Sequence, residues 1–127
     1  MYLDANGLYA WAMTQSLPLN GFQWCDPNTF DQSMLGGDKG KGYILEVDCE
    51  IADMHHDKLN DYPPASEKMK VTKEMHSPLQ KKMCCKAGSV EKLIPNLLPK
   101  SNYVVHHRLL QEFINLGLKV TNIHRVI

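Results

Sequence analysis

From Gly42 to Glu50 the chain alternates with a period of two, Leu45, Val47 and Cys49 against Glu46, Asp48 and Glu50. That pattern predicts a half-buried strand, apolar on one face and acidic on the other. A second pattern covers Tyr103–Leu116, where residues 105, 109, 110, 113, 114 and 116 are apolar at close to helical spacing. It predicts an amphipathic helix capped by Gly117. Leu118 to Ile127 reads as a further strand, with Val120, Ile123 and Val126 as its apolar members. At the start, Tyr2-Leu3 reads as the end of a buried strand, Asn6-Gly7 as a turn, and Leu8 to Met13 as a short helix without a breaker.

The intervening stretches are less regular. Leu17-Pro18-Leu19-Asn20-Gly21 ends the first helix and turns the chain, and Phe22-Gln23-Trp24 is a candidate edge strand. Asp26-Pro27-Asn28 is turn chemistry, and Ser33–Gly42 reads as an exposed loop. Residues 52–61 form a candidate polar helix that Tyr62-Pro63-Pro64 must stop. Residues 65–100 read as a basic surface excursion with a short strand at Met69-Lys70-Val71. The expectation is an α+β domain: an antiparallel sheet with flanking helices.

Charge changes this picture. The net charge over 127 residues is zero, but residues 1–57 carry nine acids against Lys39 and Lys41, a net −7. Residues 58–100 carry nine lysines against Asp61, Glu67, Glu74 and Glu91, a net +5. Such asymmetry suits a protein that holds a metal with one part and a phosphate backbone with another; two solvated faces are the structural alternative. The lysine-rich stretch 68–92 is the candidate DNA or protein contact. No apolar run approaches the roughly 20 residues of a spanning helix, so no membrane partner is expected.

Cys25, Cys49, Cys84 and Cys85 are irregularly spaced and suggest no disulfide framework, which fits an intracellular, reduced chain. Zinc is not expected, because neighbouring pairs such as His55-His56 and His106-His107 point in different directions on a helix or a strand. Cys84 and Cys85 have only Lys81, Lys82 and Lys86 nearby to lower a thiol pKa, and nucleophilic catalysis is not expected of them.

The chemistry is carried by the first residues. Asp4 stands where a strand stops and a helix starts, a place suited to a metal-holding carboxylate facing an anion. The run Asp4-Ala5-Asn6-Gly7-Leu8-Tyr9 resembles the first catalytic palm motif of family B DNA polymerases, Asp-x-x-Ser-Leu-Tyr-Pro. Extended to Met1–Met13, it is similar to the protein-primed branch found in viruses, linear plasmids and transposons, with Gly7 in place of Ser or Asn and Ala10 in place of Pro or Gly. Further blocks in the same order are similar to that branch: Gly42–Asp48, Asn60-Asp61-Tyr62-Pro63, Pro95-Asn96-Leu97, Asn102–Arg108, Gly117–Thr121 and Ile123–Val126.

The resemblance implies a partial polymerase palm. Residues 1–21 would be the first palm motif, and residues 22–127 palm strands with the insertion that contacts DNA and the terminal priming protein. It implies nucleotidyl transfer from a dNTP to a DNA template-primer at two Mg²⁺ ions roughly 4 Å apart. Asp4 would be the catalytic carboxylate holding metal, with the Ala5 carbonyl as a further metal ligand. Asn6, Gly7 and Leu8 would meet the triphosphate, and Tyr9 would lie beneath the sugar and exclude a ribose 2′-OH. The family's second carboxylate, in a Tyr-x-Asp-Thr-Asp hairpin, has no counterpart here, and the isolated chain is therefore expected not to polymerise DNA. A non-catalytic DNA- or protein-binding remnant of such a polymerase is the alternative, and an unrelated α+β interaction domain a third reading.

Overall fold

In the computed structural model, residues 6–16, 18–36, 40–84, 86 and 88–127 are described. The centre is strand β1, Ile44–Ile51, flanked on both sides. Strand β4, Lys100–His106, and strand β5, Leu118–Val126, both pair with it antiparallel in the order β4-β1-β5. The alternation in β1 explains this central place. Leu45, Val47, Cys49 and Ile51 are buried against Val105, Leu110, Leu118 and Val126, while Glu46, Asp48 and Glu50 face the other way. The fold is α+β with antiparallel pairing, as the sequence predicts.

Helix α4, His107–Asn115, joins β4 to β5 and places Leu110 in the core. The sequence pattern starts this helix at Tyr103, but Tyr103 to His106 belong to β4. Tyr103-Val104-Val105 is β-favouring, and pairing with β1 satisfies their main-chain groups, which outweighs the apolar spacing. Gly117 follows the helix with φ of 109°, and a Cβ there would meet the His55 ring at 2.7 Å, so the helix-to-strand turn needs glycine.

Between β1 and β4 lie a short helix α2, His56–Leu59, and a second antiparallel pair, β2, Glu67–Lys70, with β3, Glu91–Ile94. The predicted excursion is therefore a hairpin-like sheet around helix α3, Pro78–Lys82, whose N-terminus carries a reciprocal Ser77–Gln80 capping box. Long charged side chains dilute the apolar periodicity of 65–100, and this pairing is not legible in it. Lys100, 3% exposed, ties this sheet to the main one through an ion pair with Glu67 at 2.9 Å.

Ahead of β1 the chain carries helix α1, Leu8–Met13, which coincides with the predicted element but buries none of its residues. It ends at Thr14, before the Leu17–Gly21 turn expected to stop it. Phe22–Trp24 does not form a strand; only Cys25 bridges to Val126 at the edge of β5. Within the expected loop, Gln32–Gly36 is a 3-10 turn that inserts Leu35 into the core beside α4.

Candidate functional site

Gly7 takes the left-handed conformation, φ 69°, and caps α1, with its carbonyl accepting from Trp11 N–H at 2.9 Å. A positive φ favours glycine at this turn. Asn6, Gly7, Leu8 and Tyr9 are all exposed, and Tyr9 is 88% exposed. Tyr9 and Trp11 therefore do not act as core packing. Asp4, Ala5 and the expected strand Tyr2-Leu3 lie outside the described residues.

The carboxylates of β1 form a different constellation on the outer face of the sheet. Asn102, at φ 53° in β4, donates its main-chain N–H to Asp48 Oδ1 at 2.8 Å and its Nδ2 to Glu46 Oε1 at 3.0 Å. From the other side β5 contributes His124, whose Nε2 is 2.8 Å from Asp48 Oδ2, and Arg125, whose Nε donates to Glu46 Oε2. The bond to Arg125, then that to Asn102, holds the Glu46 carboxyl below its ordinary value. The Asn102 N–H, then His124, does the same for Asp48.

All four oxygens of Glu46 and Asp48 are thus engaged by protein donors. A cation needs free carboxylate oxygens, and this pair does not supply them. Among the described residues no group of three or more His, Cys, Asp and Glu is placed to hold a metal. The network was not singled out from the sequence. Its one signal was the outward alternation of Glu46 and Asp48; Asn102 and His124 are brought in by strand pairing across more than fifty residues.

A cavity of about 700 Å³ opens beside α2, lined among others by Ile51, Asn60, Pro63, Pro95, Asn96 and Leu97. Asn60 and Pro63 thus share this cavity with Pro95, Asn96 and Leu97. The lysines expected to meet DNA or protein are exposed at 68, 70, 73, 81, 82, 86 and 92. Lys100 alone of the nine between residues 58 and 100 is buried.

No family model, curated protein or solved structure matches this chain.

Proposed function

We propose that this chain is part of the palm of a protein-primed family B DNA polymerase, a DNA-directed DNA polymerase, together with the insertion that meets the priming protein and DNA. One observation carries the reading: the blocks that resemble the family, scattered through the sequence, fall on coherent structural features. Gly42–Asp48 leads into and forms most of β1, Asn102–Arg108 covers most of β4 and the start of α4, Gly117–Thr121 and Ile123–Val126 fall on β5 and its preceding turn, and Asn60 and Pro63 share one cavity with Pro95, Asn96 and Leu97. Tyr9, uncovered at the start of α1, is free to lie beneath a nucleotide rather than fill a core.

In this reading Asp4 and the Ala5 carbonyl would hold Mg²⁺, which would supply neutralisation of phosphate charge. The main chain of Asn6, Gly7 and Leu8 orients the triphosphate, and Tyr9 screens the sugar by bulk. The exposed lysines of β2, α3 and β3 are then the surface for DNA backbone or the priming protein. They also favour the second reading, a binding remnant without chemistry, because a basic surface needs no metal pair to bind DNA.

The test is to sequence the transcript and the flanking DNA, then express the extended chain. A reading frame carrying a Tyr-x-Asp-Thr-Asp motif beyond position 127, and primer extension by the extended chain that Asp4→Asn abolishes, is the expected result. Extension that survives Asp4→Asn would overturn the assignment of the site. A genuine stop after Ile127, with DNA binding and no extension, would replace the polymerase by the remnant.

A further inference from the structure

We propose that the neighbouring imidazoles of His106 and His107 form a proton-operated latch between α4 and the chain leading into β1, closed while both rings are neutral. Each ring nitrogen Nδ1 faces a main-chain donor. His106 is the residue that caps α4, and its Nδ1 accepts the Arg108 N–H at 3.3 Å. The His107 Nδ1, on a residue 2% exposed, accepts the Tyr43 N–H at 3.0 Å. The Tyr43 carbonyl in return accepts the His107 N–H at 2.9 Å, so Tyr43 is clasped by both main chain and side chain.

An imidazolium has no acceptor nitrogen, so a proton on either ring turns an acceptor into a donor facing a donor. At His107 the Nδ1–H could turn only to the Tyr43 carbonyl, 3.4 Å away and already engaged. At His106 the loss is a helix cap, and a positive charge would stand at the positive end of the α4 dipole. The rings lie 4.4 Å apart, centroid to centroid, so charging one opposes charging the other.

The surroundings offer the charge little relief. Arg108 stands beside His106, and Cys25, Lys41, Tyr43 and Ile127 line the cavity that His106 enters, while Tyr43 meets His107 edge-on. Among the described residues no carboxylate forms an ion pair with either ring. Burial first, then His107 and Arg108, holds the His106 imidazole below its ordinary value. A group whose neutral form the fold prefers contributes stability above about pH 6.5, and that contribution is lost as pH falls through the lowered value. Opening releases the Tyr43 N–H beside a cavity that residues 18–23 also line.

Amide hydrogen exchange of the ¹⁵N-labelled 127-residue chain at pH 7.5 and pH 5.0 tests the latch. The protection factors of the Tyr43 and Arg108 amides are expected to fall tenfold or more relative to Val47, which lies buried in β1 and provides the reference. His106→Asn, which caps a helix without titrating, is expected to keep the Arg108 amide protected at pH 5.0. Unchanged ratios to Val47 in the wild-type chain, or equal loss of Arg108 protection in the variant, would overturn the proposal. The wild-type ratios decide it even where the variant fails to fold.

Discussion

The main-chain N–H of Asn102 points at the carboxylate of Asp48 from 2.8 Å, although the two residues lie 54 positions apart and on different strands. Asn102 reaches this donor position by adopting φ 53°, which a side chain other than Asn or Asp tolerates poorly. The β1–β4 register shifts between Val47 and Cys49, beside this contact, and the irregularity turns the amide outward to the carboxylate.

Asn102→Ala is accordingly expected to destabilise the chain by about 1–2 kcal/mol, from left-handed strain and the lost Nδ2 bond. Asn102→Gly removes the strain and loses only the side-chain bond, so its cost is expected to be smaller. Urea denaturation of the two variants checks the order.

The acid limb of stability is expected to run through Glu46 and Asp48. Both carboxyls are held below their ordinary values of 4.5 and 3.8 in the folded chain. The unfolded state therefore binds protons first as pH falls, and stability present above about pH 4.5 is lost below it. Asp48→Asn should flatten this limb in denaturation measured between pH 5 and pH 2.5; a limb of unchanged slope would place the linkage elsewhere.

Core and α1 should respond unequally to truncation. Leu110→Ala, at a site 1% exposed, is expected to cost about 2–5 kcal/mol. Tyr9→Ala should leave stability within about 0.5 kcal/mol, because α1 buries nothing. In an extended polymerising chain, the same Tyr9 substitution should instead raise ribonucleotide incorporation. Thermal melts and a dNTP-against-NTP competition separate the two effects.

Lys100→Ala removes the partner of Glu67 and is expected to cost about 3 kcal/mol. Lys100→Met keeps the aliphatic bulk, and Lys100→Met with Glu67→Gln should recover most of the loss. A double-mutant cycle in urea measures the coupling.

Thiol labelling at pH 8 should distinguish the cysteines. Cys25 and Cys84 are exposed and expected to react in the folded chain. Cys49 is buried in β1, which pushes its thiol up to about 11, and it should react only on unfolding.

How much was legible in the sequence varied with the range of the interaction that decides each element. The alternation around Leu45, Val47 and Cys49 announced β1 within a residue or two, because one wet and one dry face leave a period of two in any half-buried strand. Leu8–Met13 and Leu118–Val126 were legible for similarly local reasons: a run without breakers, and a strand bounded by a turn glycine.

The amino-acid order by itself thus determined that Leu45–Glu50 and Leu118–Val126 extend, that Leu8–Met13 coils, and which face of β1 is buried. Tertiary structure decided what those segments meet. It gave Tyr103–His106 to a strand rather than a helix, and paired β2 with β3 although the charged side chains there leave no clear alternation. It also bonded Asn102 and His124 to Asp48, and set His107 against Tyr43. The physical reason is that strand pairing and buried hydrogen bonds are satisfied by residues tens of positions away, and local periodicity holds no record of which distant donor will arrive.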